Sequence, residues 1–279
     1  MTVTDHQRYA APVGYDLLDR GSDHLVVLLH GLGGDRNQPL GLTTDRLAGT
    51  GVSVLAPDAR AHGETEVIGG PDDFTTAALA ADVLTLVDTL GLSGKQLIPV
   101  GISMGAAVGL QLVLQYPDRV AGAVLIRPSF EPEPWPAHAR VFQTIAALLR
   151  RDGAAALPEF QQTEQYRQVR DESVSAATSL AEQFTKPHAA QRVVRLETVP
   201  GNTAVDWPGQ RDPGVPLTIV GADRDPGHPL AVARLWHQRL AGSTLVEVPS
   251  RDREPQAYAA GLHRVVTDTV AGLTRTTTR

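Results

Sequence analysis

The chain has 279 residues, of which 42% are hydrophobic and 20% charged, enough apolar content for one large core or two small ones and too much for a disordered tail. Its 25 basic residues face 31 acidic ones, with a net charge of −6 and no cluster of Lys or Arg able to track a phosphate backbone, so nucleic acid is not an expected partner. The lack of Cys excludes disulfides, thiolate metal sites and a thiol nucleophile together.

Residues 1–11 carry Asp5, His6 and Arg8 and no apolar block of the secretory kind, and no apolar run approaches the roughly 18 to 20 residues that span a bilayer. A cytoplasmic protein that is not embedded in a membrane is the expectation. An early hairpin-like strand at 15–18 is followed by short apolar, β-branched runs at 24–30 (HLVVLLH) and 52–56 (VSVLA). A helix is expected over 76–90, with Leu79, Val83, Leu86 and Leu90 on one face and Gly91 as its stop. The strand at 96–102 runs directly into a helix at 104–115, which Tyr116-Pro117 ends, and a further strand follows at 120–126. Strands at 216–221 and 244–248 alternate with helices at 231–240 and 255–273, the last with Pro255 in its first turn. This alternation predicts an α/β protein with a mainly parallel sheet flanked by helices on both faces.

Residues 128–212 interrupt the rhythm. They open with the proline-rich segment from Glu131 to Pro136, show no convincing strand, and hold seven of the 13 aromatic residues. They are expected to form a helical lid inserted between the two parts of the core, residues 1–127 and 213–279. The aromatics either hold that layer together or wall a substrate pocket, and both can be true. Phe130, Trp135 and Phe142 are the candidates for the pocket.

The most informative segment is Gly101-Ile102-Ser103-Met104-Gly105, a Gly-x-Ser-x-Gly pattern between a buried strand and a helix. Such a turn is tight enough to demand small flanking residues, and it thrusts the central Ser out at the carboxyl edge of the sheet. Ser103 is therefore the candidate nucleophile. A plain small-residue turn is the rival reading, and a dinucleotide site is disfavoured because Ser103 stands where a Gly would be needed. Upstream, His30-Gly31-Leu32-Gly33-Gly34 can bring a backbone N–H close to a reacting carbonyl. The amides of Leu32 and Met104 are the candidate oxyanion donors, while His30 is expected to brace its loop.

Four landmarks in order carry a resemblance to the α/β-hydrolase fold over essentially the whole chain. They are His30 to Gly34, Ala56-Pro57-Asp58-Ala59-Arg60-Ala61-His62-Gly63, Gly101 to Gly105, and Val220 to Pro229 after the penultimate strand. The resemblance implies a serine hydrolase whose acid lies in the last of these loops and is followed by Pro, which is Asp225, with Asp223 and Glu131 in reserve. It also implies a general-base His after the last strand, and here the sequence departs from the family. Residues 248–255 (VPSRDREP) contain no His, and a serine hydroxyl needs a base to take its proton. His228, three residues past Asp225, is the best substitute. His263 lies deep in the final helix and His62 belongs to the Asp58 turn. Arg253 and Asp252 occupy the loop that lacks the His; an Arg there cannot act as a base but can hold a substrate carboxylate.

No His-Glu-x-x-His run or pair of His at helical spacing is present, so neither a metal nor another cofactor is expected. The expected function is hydrolysis of an ester, lactone or similar small apolar acyl substrate through Ser103. Two rivals share the fold: a lyase or cyclase that polarises a carbonyl without covalent attack, and a ligand-binding protein that turns nothing over.

Overall fold

The computed structural model of the chain describes residues 12–276; the start read at residues 1–11 as lacking a secretory signal lies outside the described residues. Seven strands form one sheet: β1 (Tyr15–Leu18), β2 (His24–Leu29), β3 (Ser53–Pro57), β4 (Gln96–Ile102), β5 (Ala123–Ile126), β6 (Leu217–Ala222) and β7 (Thr244–Val248). Their order is β1-β3-β2-β4-β5-β6-β7. All neighbours are parallel except β1, which lies antiparallel on β3 at the edge.

Alternation along the buried strands divides the core between two faces, because successive side chains point to opposite sides of a sheet. Leu25, Val27 and Leu29 pack with α2 (Thr76–Thr89), α3 (Met104–Gln115) and α9 (Leu230–Arg239), where Trp236 is fully buried. Val26 and Leu28 face the opposite layer, in which Tyr258, Leu262, Val266 and Val270 of α10 (Pro255–Thr276) line the sheet. The helix α1 (Asn37–Leu47) packs against α10. The sequence pattern did not predict it, since Pro39 and Gly41 are poor helix formers; Leu40 and Leu47 nonetheless anchor it to this second face. β5 begins at Ala123 rather than at Val120, which makes only an isolated bridge to Leu97.

Between β5 and β6 the chain forms no strand and instead builds α4 (Val141–Asp152), α5 (Leu157–Gln161), α6 (Glu164–Glu172), α7 (Val174–Thr185) and α8 (Val194–Thr198). This helical layer has its own apolar cluster, centred on Ile145, Phe160, Phe184, Val193 and Leu196. Phe160 stands 5.2 Å from the rings of both Tyr166 and Phe184, so these three aromatics hold the layer itself. Its two ends belong to the main core instead: Phe130, Val199 and Val205 pack with the α2, α3 and α9 side of the sheet, and the Phe130 carbonyl accepts from Trp236 Nε1 at 2.8 Å.

Among the described residues no helix is long and apolar enough to cross a membrane. The chain leaves β2 for β3 on one side and continues through β4 to β7 on the other, so the sheet reverses its winding between β2 and β4. In open α/β sheets the crevice at such a reversal, beyond the carboxyl ends of the strands, is where ligands bind. Leu29 pairs with Gly101 across the two strands, so the loops beginning at His30 and at Ser103 emerge side by side.

Candidate active site

Ser103 has φ 54° and ψ −111°, a backbone state that a side chain adopts only under strain. Its neighbours are fixed by contact. A Cβ at Gly101 would stand 2.0 Å from the Gly105 carbonyl oxygen, and one at Gly105 would stand 2.2 Å from that of Leu29. Both distances are far inside van der Waals contact, so the turn admits only glycine at these two positions. The Ser103 N–H donates to the Ile126 carbonyl at 2.9 Å, which ties the turn to the end of β5.

The strain delivers the side chain to a cavity of about 120 Å³ at the carboxyl ends of the strands. Its lining includes Leu32, Ser103, Met104, Phe142, His228 and Arg251. Among the described residues Ser103 Oγ makes no hydrogen bond, with His228 or with any other group. Among the same residues the amides of Leu32 and Met104 have no acceptor either. Gly31 lies over the Ser: a Cβ there would be 3.4 Å from Ser103 Cβ. Its N–H donates to Gln38 Oε1 at 2.7 Å, an anchor provided by α1.

His228 and Asp225 come from the loop after β6. Asp225 Oδ1 lies 3.0 Å from His228 Nδ1, while Asp225 Oδ2 accepts from Arg127 Nε at 2.6 Å. Arg127 also places Nη2 at 2.9 Å from the same His228 nitrogen and Nη1 at 3.3 Å from Tyr258 Oη. Burial alone would raise the Asp225 carboxyl, but Arg127 outweighs it and, with His228, holds the group well below the usual carboxylate range. For His228, burial lowers the pKa and Arg127 adds to the effect against the opposing pull of Asp225. The ring is therefore neutral at neutral pH. Among the described residues its Nε2 has no partner, and it is not sealed from the cavity.

The remaining sequence candidates are placed elsewhere. Trp135 is not among the residues lining the cavity. The expectation that it would line the pocket beside Phe130 and Phe142 is corrected: the backbone turns at Trp135 itself, φ 54°, and its ring covers Gly201, where a Cβ would meet Trp135 Nε1 at 2.6 Å. His263 and His62 do not line the cavity. His62 is buried and its Nδ1 pairs with the Arg60 carbonyl at 2.8 Å. His30 braces its loop, with Nδ1 2.9 Å from the Gly31 carbonyl and Nε2 accepting from the Ala59 N–H at 3.0 Å. Asp223 is exposed, and Glu131 stands 3.6 Å from His138. In the loop after β7, Arg253 is exposed and Asp252 caps α7 through Ser175 N at 3.1 Å and Ser173 Oγ. The residue of that loop that enters the cavity is Arg251.

Arg127, Arg251 and His138 were not anticipated. Arg127 carried a usable signal, since it directly follows the β5 strand at the sheet edge where the site lies. His138 donates no signal of that kind; its Nε2 lies 2.9 Å from the Ser129 carbonyl and the ring lines the cavity. Among the described residues no three His, Asp or Glu side chains converge as a metal site requires.

Three histidines here titrate together with the fold. Burial lowers the pKa of His30, His62 and His228 below the ordinary histidine value, which is about 6.5. The folded state thus prefers all three neutral, whereas the unfolded chain takes up protons below about pH 6.5. Their contribution to stability is present above that pH and is lost progressively as the pH falls through the folded values. The melting temperature is expected to drop between pH 7 and pH 5, and His62→Gln to make the drop shallower; a melting temperature constant over that range would contradict this.

The family profile of the α/β hydrolase fold matches residues 24–256, and the chain belongs to this family. The sn-1-specific diacylglycerol lipase ABHD11 of Mus musculus is 28% identical over 243 residues, which cover 81% of this chain and 76% of the lipase. Among solved structures, a thermophilic esterase from Thermogutta terrifontis superposes with a TM-score of 0.66 at 20% identity, covering 97% of this chain and 96% of the esterase. The enol-lactonase from Burkholderia xenovorans LB400 gives a TM-score of 0.64 at 20% identity, with 94% and 95% covered. These relatives are hydrolases, and the two structures share the fold.

Proposed function

We propose that the chain is a serine hydrolase that cleaves a small ester or lactone through an acyl-enzyme on Ser103. One observation carries this reading above the others: the strained turn holds Ser103 Oγ in the same cavity as Nε2 of His228, and neither atom has a hydrogen-bond partner among the described residues. A turn that costs on the order of 1–3 kcal/mol in backbone strain is retained where a reactive side chain must be presented.

In this mechanism Asp225, kept ionised by Arg127, accepts the Nδ1–H of His228, so that Nε2 carries the lone pair; in this tautomer Nδ1 cannot also accept from Arg127 Nη2, and that 2.9 Å contact opens. Nε2 takes the proton of Ser103 as Oγ attacks the carbonyl carbon, and the Leu32 and Met104 amides receive the charge that develops on oxygen. Removing one such donor typically costs about 3 to 4 kcal/mol in the barrier. His228 then returns the proton to the leaving alcohol, and a water molecule, activated by the same nitrogen, releases the acid. The mechanism requires a Ser103–His228 hydrogen bond to form as substrate binds, the stage at which catalytic hydrogen bonds often tighten.

The helical segment between β5 and β6 acts as a lid, with Leu180 of α7, Phe142 of α4 and Phe130 at its entry lining the cavity of the nucleophile. A volume of about 120 Å³ suits a short acyl group, since a cavity on the order of 150 Å³ takes up a benzene. Turnover of a panel of p-nitrophenyl esters and γ-lactones tests the reading: butyrate-sized acyl groups are expected to be hydrolysed faster than decanoate-sized ones. No turnover of any member would count against it.

A further inference from the structure

Arg251 stands three residues beyond β7 and lines the cavity that holds Ser103. Its Nε donates to Ser175 Oγ at 2.7 Å, and that neutral hydroxyl is its only side-chain partner among the described residues. Among the described residues no carboxylate oxygen lies within 4.0 Å of it. The acids nearby are engaged elsewhere: Asp225 with Arg127 and His228, and Asp252 with Ser175 N and Ser173 Oγ. The second guanidinium of the cavity, that of Arg127, is already matched by Asp225. Burial, with Arg127 next in effect, lowers the pKa of Arg251, yet a guanidinium does not give up its proton near neutral pH.

The cavity therefore carries a guanidinium that no carboxylate touches directly, its charge offset only at a distance by Asp225 and Asp252, half withdrawn from water, and among the described residues its Nη1 and Nη2 have no partner. A charge in such a place is costly unless something pairs with it. The planar fork of a guanidinium matches a carboxylate through two parallel hydrogen bonds. Phe130, Phe142 and Leu180 line the same cavity and supply apolar surface for a short methylene chain.

We infer that Arg251 is a specificity-determining residue that receives a carboxylate on the acyl part of the substrate, so that the preferred substrates are mono-esters of short dicarboxylic acids. The inference rests on the serine-hydrolase reading for the reaction but not for the binding. Hydrolysis of such an ester breaks its acyl carbon–oxygen bond, consumes one water, and yields the dicarboxylate, the alcohol and one proton. Arg251 holds the carboxylate through both half-reactions, because the acyl part stays on Ser103 while the alcohol departs.

Two measurements test it. The first is the ratio of kcat/KM for p-nitrophenyl hemiglutarate to that for p-nitrophenyl butyrate in the unaltered enzyme, in Arg251→Met and in Arg251→Lys. The ratio is expected to fall by about 10- to 100-fold in Arg251→Met and by less in Arg251→Lys, which keeps the charge and loses the fork. The second is calorimetric titration with glutarate, which needs no turnover and is expected to show binding that Arg251→Met loses. Glutarate binding lost in Arg251→Met without turnover of any ester would uphold the carboxylate site and defeat the hydrolase reading. Ester turnover with an equal ratio in all three proteins, or glutarate binding that survives in Arg251→Met, would overturn the inference. If Arg251→Met melts too low to assay, Arg251→Lys decides alone: an unaltered ratio together with unaltered glutarate affinity overturns the inference.

Discussion

Ser103→Ala is expected to lower kcat for butyrate esters by about 10⁴-fold or more, since loss of the nucleophile leaves only binding and the oxyanion donors. At about 1.36 kcal/mol per factor of ten, this is on the order of 5 kcal/mol of barrier. Stability should change little, because the hydroxyl makes no hydrogen bond to any described residue and alanine accepts the same strained backbone no worse than serine. Steady-state rates and melting curves on one preparation check both halves. A large loss of rate together with a large loss of melting temperature would mean that the hydroxyl holds structure rather than performs chemistry.

His228→Ala is expected to lower kcat by about 10²- to 10⁴-fold, the range that a positioned general base commonly contributes. It should also remove the acidic limb of the pH profile. In the unaltered enzyme that limb is expected below pH 6.5, because burial and Arg127 both favour the neutral ring and activity falls only once Nε2 is protonated. Asp225 keeps its ion pair with Arg127 in the variant, so the loop after β6 should remain in place. An unaffected rate would show that another group takes the Ser103 proton.

What could be read in the chain before its structure was local. The Gly101 to Gly105 turn is recognisable because its constraint is steric and spans five residues, and the buried strands are recognisable because their apolar runs are continuous. The pairing of Asp225 with His228 was also within reach, both lying on one short loop. Arg127, His138 and Arg251 come from three separate segments that only the folded sheet edge brings together, and no spacing rule connects them. In the loop after β7, which of the two arginines turns inward depends on the hydrogen bond from Arg251 to Ser175 of α7, a contact 76 residues apart in sequence. Trp135 was misplaced for a related reason. The prolines on both sides suggested a stiff approach to the pocket, whereas the turn at Trp135 itself sends the ring onto Gly201. The helix α1 has no local signature, because Pro39 and Gly41 argue against it, and its packing against α10 outweighs that.

Covalent attack by Ser103 is the step on which the proposed chemistry depends. A fluorophosphonate traps an activated serine by the same attack, and mass spectrometry of the digested adduct locates it. The chemistry proposed here requires a single stoichiometric label on the peptide containing Ser103, lost when the ring of His228 is removed. Turnover of an ester by a protein that takes up no label at Ser103 would contradict it, and would point to carbonyl polarisation without an acyl-enzyme.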